Sequence, residues 1–357
     1  MLRNVFVLGT FMPLHIGHEQ LLRFASHIAS ERSEPTRVNV LINTRDCEPI
    51  HYVERTGALR DLMKRIDAES LTAHQSVISH YHGDVPQNPS ESASEEEFWQ
   101  IWRDLILRST LVRPGDVIVG SEPYCIKLAE VMGCTFIPYD VGRITNRISA
   151  TEIRKNPFKN FGMIVPEARK FFQTTITLFG AESTGKSSMT ARLASRIFPN
   201  VAVTEWARPY LEMCGTELTQ EKMHTIEVGQ YAAQQCAKAN PEAMFIIQDT
   251  DLLSTWGYHK IFGSEPGSHL YYNVVETMAD LYVVMSDQIP FEKDPIRYGG
   301  DIRQSNTDFW IDILNEFHCN YVVLKSVDPR EQLDAVLIAI DYLIAPKFNK
   351  LAEFQRT

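Results

Sequence analysis

Eight residues near the middle of the chain, positions 180–187, have the spacing GxxxxGK[ST] directly after an apolar run. Glycines allow backbone N–H groups to turn toward an anion, and the helix expected next adds the positive end of its dipole. Lys186 can reach the β- and γ-phosphates of a nucleotide, and Ser187 can ligate Mg²⁺. The sequence therefore predicts a nucleoside triphosphate loop made by Gly180, Glu182, Ser183, Thr184, Gly185, Lys186, Ser187 and Ser188.

A second set of residues with phosphate chemistry lies near the N-terminus, where a strand pattern changes to a helical one. Positions 9–18 read GTFMPLHIGH, and apolar residues then recur at spacings of three and four. The start of a helix favours negative charge, and imidazoles there can donate hydrogen bonds to phosphate oxygens. A histidine that only caps the helix is the alternative. The residues expected to bind phosphate are Gly9, Thr10, Phe11, His15, Gly17 and His18.

A third motif, ISATEIR at positions 148–154, supplies another helix start. Ser149 and Glu152 have the spacing of a capping box, so Ser149 is predicted to begin a helix. Backbone N–H groups, Thr151 and Arg154 would then face an anion, and a guanidinium can contact phosphate in bidentate fashion. The alternative is a capped surface helix with a solvated arginine.

The elements that must position these residues alternate between strand and helix patterns. Apolar strand patterns at 5–8, 38–42, 116–120 and 135–137 are separated by helical ones. Such alternation predicts an α/β fold with a parallel sheet and helices on both faces. Because the loops after parallel strands meet at one edge of the sheet, the N-terminal motif and ISATEIR are expected to converge there.

The C-terminal half repeats the α/β pattern around the phosphate-binding loop. The apolar run at 243–249 ends in Asp249, a form typical of a carboxylate that holds Mg²⁺ through water beside such a loop. Further strand patterns lie at 201–204, 281–285 and 321–324. The glycine- and cation-rich stretch 291–303 is interpreted as a lid that would bring Arg297 or Arg303 onto the γ-phosphate; a charged surface turn is the alternative.

Composition excludes several classes of protein. The net charge is −10 and no basic stripe is visible, so binding of nucleic acid is not expected. The six cysteines are scattered without a CxxC pair, which indicates reduced thiols and packing residues and not disulfides or zinc ligands. No signal peptide precedes the first strand and no apolar run could span a bilayer, so a cytoplasmic protein is predicted.

Taken together, GTFMPLHIGH, ISATEIR and GAESTGKS resemble the bifunctional nicotinamide-nucleotide adenylyltransferase/ribosylnicotinamide kinase family over essentially the full length. The resemblance implies a Rossmann-like nucleotidyltransferase domain at 1–167 and a P-loop kinase domain at 168–357, with a hinge at 156–166. Family members that also repress transcription carry an N-terminal helix-turn-helix segment. Strand one begins here at residue five, so a repressor role is not expected.

The same resemblance implies the substrates ATP, nicotinamide riboside and nicotinamide mononucleotide, with NAD as product and Mg²⁺ as cofactor. In related nucleoside kinases a carboxylate at the place of Glu205 accepts the proton of the 5′-hydroxyl, and Arg208 would hold the ribose. A structural ion pair between these two residues is the alternative. Similar adenylyltransferases stack the nicotinamide ring on an aromatic side chain, here Trp99 or Trp102, unless both rings only fill the core. His15, His18 and Arg154 would stabilise charge during adenylyl transfer.

Two other functions remain open from the sequence. One is a nucleotidyltransferase of different specificity, for phosphopantetheine or a cytidylyl group, joined to a nucleoside kinase. The other is a regulatory sensor of NAD or ATP with weak catalysis. The sequence is also compatible with a homo-oligomer and does not determine its size.

Overall fold

A computed structural model describes residues 2–70, 76–291 and 303–354. Contacts between Cα atoms divide the chain into two units: unit 1 comprises Met1–Phe171 with Lys347–Thr357, and unit 2 comprises Phe172–Pro346. Within the described residues each unit contains one five-stranded sheet whose strands all pair in parallel. The predicted fold class, two α/β domains with parallel sheets, is confirmed.

Unit 1 alternates strands and helices along the chain. Its strands are β1 (Arg3–Gly9), β2 (Thr36–Thr44), β3 (Val77–His82), β4 (Val117–Gly120) and β5 (Thr135–Pro138). Its helices are α1 (Ile16–Ser30), α2 (Tyr52–Glu69), α3 (Glu95–Ser109), α4 (Tyr124–Met132), α5 (Ala150–Lys155) and α6 (Pro166–Arg169).

The central strand β1 shows why this sheet is covered on both faces. Successive side chains of a strand point to opposite faces. Val5 and Val7 accordingly pack in a core with residues of α1 and α2, whereas Phe6 packs in a second core with residues of α3 and α4. An apolar run in the sequence thus becomes a strand that contributes to two cores at once.

Unit 2 follows the same plan. Its strands are β6 (Thr174–Phe179), β7 (Asn200–Val203), β8 (Phe245–Asp249), β9 (Leu281–Met285) and β10 (Tyr321–Leu324). Its helices are α7 (Lys186–Ala194), α8 (Ala207–Cys214), α9 (Gln220–Lys238), α10 (Leu252–Phe262), α11 (Leu270–Thr277), α12 (Thr307–Glu316) and α13 (Pro329–Glu353), the last of which ends in residues that belong to unit 1.

Strand order places both motif-bearing loops at equivalent positions. The order is β3-β2-β1-β4-β5 in unit 1 and β10-β9-β6-β8-β7 in unit 2. In each sheet the first strand of the unit lies in the centre. The later strands of the unit lie on both sides of it, so connections run in opposite directions from this point. The loops after β1 and β6 therefore open at the switch point, where α/β sheets bind ligands.

The segment 156–166 is not the hinge that its prolines and glycine suggest. Ile164 pairs with His15 in an antiparallel bridge, and the Val165 N–H donates to the Leu14 carbonyl. Ile164 and Val165 are fully buried, as is most of Phe161. The segment therefore packs into unit 1, because its apolar side chains cover the start of α1.

The two ends of the predicted kinase domain also differ from the expected division. The units separate at Phe171/Phe172, and residues 347–357 group with unit 1 and not with unit 2. Phe348 and Leu351 are the reason, since both are buried and the Phe348 ring packs edge-on against Phe158 with centroids 5.0 Å apart. Local patterns in the sequence do not reveal such a long-range contact.

Two predicted absences can be compared with the described part of the chain. No described helix combines the length and apolarity that crossing a bilayer requires. All six cysteines are free thiols. Burial raises the pKa of the Cys125 thiol to about 11, which agrees with its expected role as a packing residue.

Candidate functional sites

The first candidate site is a cavity of about 240 Å³ at the carboxyl ends of β1 and β4 in unit 1. The structure brings together there residues from the two motifs that are far apart in sequence. The predicted residues that line the cavity are Gly9, Thr10, His15, Gly17, His18, Ser149, Thr151 and Arg154.

His15 is the N-cap of α1 and also faces this cavity. Its Nδ1 accepts a hydrogen bond from the Gly17 N–H at 3.1 Å, so the neutral ring carries its proton on Nε2. A Cβ atom at Gly17 would lie 3.0 Å from Cε1 of His15, so glycine is what leaves room for this ring. Burial, and then the charge of Arg143, lowers the pKa of His15 to about 4. The ring is neutral at pH 7 and can act as a hydrogen-bond donor.

His18 lies against His15, and Phe11 lies behind His18. The two imidazole centroids are 3.8 Å apart at an interplanar angle of 32°, and the Phe11 ring meets His18 edge-on at 5.1 Å. Phe11 is only 1% exposed, packs in the core and is not among the residues that line the cavity. Its apolar ring thus supports His18 from the core, and the expected contact of Phe11 with phosphate stays a prediction.

Arg154 lies on α5, the helix that begins at the predicted capping box. The Ser149 side chain accepts from the Glu152 N–H and the Glu152 carboxylate accepts from the Ser149 N–H, so both halves of the box are present. Arg154 is 3% exposed and donates to the Met12 carbonyl at 2.8 Å and to Thr151 Oγ1 at 3.1 Å. The alternative of a solvated surface arginine is thus wrong.

Two lining residues, Arg143 and Asn146, were not predicted from the sequence. The Asp140 carboxylate organises their loop by accepting hydrogen bonds from the N–H groups of residues 144, 145 and 146. Arg143 adopts a positive φ of 48° and pairs with Glu122. The only local signal is an aspartate before a turn, which is too common to mark a site.

A second cavity of about 190 Å³ adjoins the carboxyl end of β1 and combines aromatic rings with amides. Trp99 and Trp102 line it and also pack in the core beneath α3. The Trp102 indole N–H donates to the Pro86 carbonyl at 2.9 Å. Gln87 Nε2 donates to Asn43 Oδ1 at 3.0 Å on the same wall. Each ring fills the core and also faces this cavity, and stacking of the nicotinamide ring on one of them stays a prediction.

The third candidate site is the loop between β6 and α7 in unit 2. Gly180, Ser183 and Gly185 have positive φ angles, which curls the loop back over the start of α7. Lys186 is buried and its Nζ donates to the carbonyls of Gly180 and Ala181 at 3.0 and 2.8 Å. The Thr184 hydroxyl also donates to the Ala181 carbonyl, at 2.9 Å. These side chains donate hydrogen bonds to carbonyls of the loop. The positive φ angles of its backbone set the shape of the loop.

Residues predicted to surround that loop are placed as follows. Ser187 and Ser188 are exposed in the first turn of α7. Arg303 donates from Nε to the Glu182 carbonyl at 2.9 Å and from a terminal nitrogen to the Ser183 carbonyl at 3.2 Å, so it braces the loop from outside. Arg297 lies outside the described residues.

Asp249 ends β8, the strand next to β6, as the apolar run predicts. Asp249 is opposite Leu178 in the sheet register and is 5% exposed. Its Oδ1 is buried without a hydrogen-bond partner in the described part of the chain, as expected for an oxygen that binds a hydrated cation. Those same ranges contain no cluster of three or more His, Cys, Asp or Glu that could hold a metal ion by itself. A magnesium ion here would depend on phosphate and water ligands as well.

Glu205 and Arg208 lie beyond β7 and form a loose pair. The Arg208 Nε is 3.9 Å from a Glu205 carboxylate oxygen, and both side chains are partly exposed. Trp206, which lies between these two residues in the sequence, stacks on Tyr210 with ring centroids 5.0 Å apart. Its backbone N–H donates to Gln230 Oε1 at 3.1 Å. The sequence analysis did not identify Trp206 or Gln230, because their contact joins α8 to the middle of α9.

Comparisons with known proteins relate nearly the whole chain to proteins of NAD biosynthesis. A family model described as an AAA domain matches residues 175–332. The trifunctional NAD biosynthesis/regulator protein NadR of Salmonella typhimurium is 22% identical over 337 residues, which are 90% of this chain and 78% of that protein. NadR of Escherichia coli is 23% identical over 334 residues, again 90% and 78% of the two chains. The chain is homologous to the NadR proteins. The resemblance drawn from the motifs is thereby confirmed.

Two solved NadR structures share the fold along nearly the whole chain. A NadR protein in complex with NR has a TM-score of 0.65 at 21% identity, covering 96% of this chain and 97% of that one. A NadR protein in complex with NAD and AMP-PNP has a TM-score of 0.62 at 20% identity, with coverages of 99% and 98%. At this identity the likeness supports the fold of both units, and the ligands belong to those proteins.

Proposed function

We propose that the chain is a bifunctional enzyme of NAD salvage. Unit 2 would phosphorylate nicotinamide riboside with ATP, and unit 1 would join the resulting mononucleotide to ATP, giving NAD and pyrophosphate. The observation that carries the proposal is that one chain holds two different motif-bearing loops, one lining a cavity and one before α7, at the switch points of separate sheets. The names and bound molecules of its homologues support the same substrates.

In unit 2 the riboside 5′-hydroxyl would attack the γ-phosphorus of ATP, and ADP would leave. The backbone of the loop after β6 would hold the phosphates, and Lys186 would exchange its two carbonyl partners for phosphate oxygens. Glu205 would accept the hydroxyl proton, and Arg208 would bind the ribose. Arg303 would keep the loop in shape from behind.

In unit 1 the phosphate of the mononucleotide would attack the α-phosphorus of ATP, and pyrophosphate would leave. The nucleophile is already anionic, so the step needs positioning and charge stabilisation and no strong base. His15, as a neutral donor, His18 and Arg154 would contact the phosphates in the 240 Å³ cavity. The nicotinamide ring would occupy the adjoining cavity beside Trp99 or Trp102.

Mg²⁺ is the metal that these residues fit. Asp249 would hold it through water, and the Ser187 hydroxyl in the first turn of α7 would ligate it directly. When bound, the ion would neutralise charge on the β- and γ-phosphates. The buried Asp249 oxygen without a partner in the described residues supports this assignment.

One assay tests the proposal directly. The full-length protein is incubated with nicotinamide riboside and Mg-ATP, and mononucleotide and NAD are detected by mass. Both products are expected, and supplied mononucleotide should give NAD without the riboside.

Parallel reactions with phosphopantetheine and glycerol phosphate, each with ATP and CTP, serve as controls. Transfer to one of these in place of mononucleotide would overturn the assignment of unit 1. A turnover number far below one per second on every substrate would favour a sensor.

A further inference from the structure

The residue that follows α13, Phe354, lies against the arginine of the adenylyl-transfer site. The guanidinium carbon of Arg154 is 5.6 Å from the centroid of the Phe354 ring. That distance is within the range of a cation–π contact, which is strongest where water is excluded. Arg154 is 3% exposed, so the contact is largely desolvated.

Phe354 is held by a well-packed segment of unit 1. Leu351 is fully buried, and Phe348 is buried with its ring edge-on to Phe158 at 5.0 Å. Lys347 places its ammonium 4.2 Å from the centroid of the Phe171 ring and also donates to the Phe171 carbonyl. These contacts hold the end of α13 in unit 1, the unit that also contains Arg154.

The type of contact matters for the chemistry. Arg154 already donates in its plane to Met12 and Thr151, which fixes two of its nitrogens. A guanidinium over the face of an aromatic ring is attracted to it without needing a further hydrogen-bond acceptor, so its N–H donors are not taken up. The contact therefore adds to the two hydrogen bonds that hold the guanidinium in place.

We propose that Phe354 is a positioning residue for adenylyl transfer, which it supports by holding the Arg154 guanidinium in the orientation that contacts phosphate. This inference rests on the proposed function of unit 1. It also makes residues 347–354 part of the adenylyltransferase, although they follow the kinase in sequence. A fragment that ends at residue 167 would lack them.

The test uses the full-length chain with five substitutions and both assays. Phe354→Ala should lower kcat for adenylyl transfer by about 3- to 30-fold, the range that a cation–π contact spans. Phe354→Tyr should restore the rate, because it keeps the aromatic face, whereas Phe354→Leu should not. Tyr342→Ala is the matched control, since that ring is 85% exposed on the same helix.

Riboside phosphorylation by the same polypeptide reports on unit 2 and should stay unchanged, and hydrogen exchange at α1 reports whether unit 1 of each variant is folded. In an Arg154→Lys background Phe354→Ala should have little further effect, because the planar partner of the ring is gone. Equal rates for Phe354→Leu and the unaltered chain would overturn the inference and leave Phe354 as packing. So would additive effects of the two substitutions, or a parallel loss of both activities. Absence of adenylyl transfer in the unaltered chain would instead contradict the proposed function.

Discussion

The proposed phosphate sites of the two units differ in the groups that would bind phosphate. In unit 2 one contiguous segment of eight residues forms the loop, and its backbone N–H groups would supply most of the donors. In unit 1 the site is assembled from side chains of the N-terminal motif, the capped helix α5 and the loop 140–146. A phosphate site built from backbone groups can therefore be predicted from one motif. A phosphate site built from side chains depends on how distant segments of the chain converge.

The charges in the two sites differ as well. Among the residues that the structure describes, unit 2 places the buried ammonium of Lys186 at the loop. The cavity of unit 1 is lined by two adjacent imidazoles together with Arg143 and Arg154, and burial lowers the pKa of His15, so that ring is neutral at pH 7. A neutral His15 avoids repulsion with these arginines, but it makes the site sensitive to acid. Four predictions below test this comparison, from the largest expected effect to the smallest.

Lys186→Ala should separate the two activities most strongly. It removes the cation that the loop itself would place at the transferring phosphate, so riboside phosphorylation should fall by about 10³-fold or more. Synthesis of NAD from supplied mononucleotide should be preserved. Lys260→Ala, which removes a surface ion pair with Glu316 and a cation–π contact with Trp256, is the control. Retained kinase activity in Lys186→Ala would mean that the loop has only a structural role.

His18→Ala should produce the reciprocal separation. Loss of one preorganised donor to transition-state charge costs on the order of 10²–10³ in rate, so adenylyl transfer should fall by that factor. Phosphorylation of the riboside should be unaffected. His27→Ala, an exposed histidine of the same helix, should leave both rates unchanged. If both activities fell in a folded His18→Ala protein, the two-site description would be wrong.

Acid should weaken unit 1 more than unit 2. The pKa of His15 is about 4 in the folded protein and 6.5 in the absence of burial. Between these values the unfolded chain binds the extra proton, so stability present above pH 6.5 is lost as the pH falls toward 4, by up to about 3 kcal/mol. Hydrogen exchange at α1 should accelerate over this range relative to α7.

His15→Asn is the variant that checks the cause of this acid sensitivity. Asparagine keeps a side-chain oxygen that can cap α1 but has no group that titrates in this range. The pH dependence of exchange at α1 should therefore flatten in this variant. The same pH dependence in the variant and the unaltered chain would assign the acid sensitivity to other groups.

Gly229→Ala should give the smallest of the four effects and should act on unit 2 alone. A Cβ atom at this helix position would lie 2.3 Å from the Trp206 ring, so the indole must move. Overpacking of this kind costs about 1–3 kcal/mol, partly offset by the higher helix propensity of alanine. Chemical denaturation followed by kinase and adenylyl-transfer assays measures both consequences.

Gly57→Ala in α2 is the matched control for that substitution. No atom lies within 4 Å of a Cβ at Gly57, so only the gain in helix propensity, up to about 1 kcal/mol, should remain. Equal stability changes for Gly229→Ala and Gly57→Ala would show that the close approach of Trp206 imposes no cost.

Much of this protein was determined by local sequence. The loop at 180–187, the capping box at Ser149 and the strand that ends in Asp249 all formed where their residue spacing predicts. Each depends on hydrogen bonds or side-chain alternation within a few residues, so a short pattern is sufficient. The strands of both sheets were predicted for the same reason, except β3, whose polar and partly exposed residues do not show an apolar run.

Only the tertiary structure determined which distant residues meet. In the folded protein Arg143 and Asn146 line the first cavity, and Phe11 lies in the core. Trp206 lies against Gly229, and the Arg154 guanidinium lies over the Phe354 ring. Residues 156–166 pack into unit 1, and residues 347–357 group with the same unit. These outcomes depend on contacts between segments that are far apart in the chain, and such contacts follow from how whole faces of helices and sheets pack. A local pattern carries no information about its partner across the core.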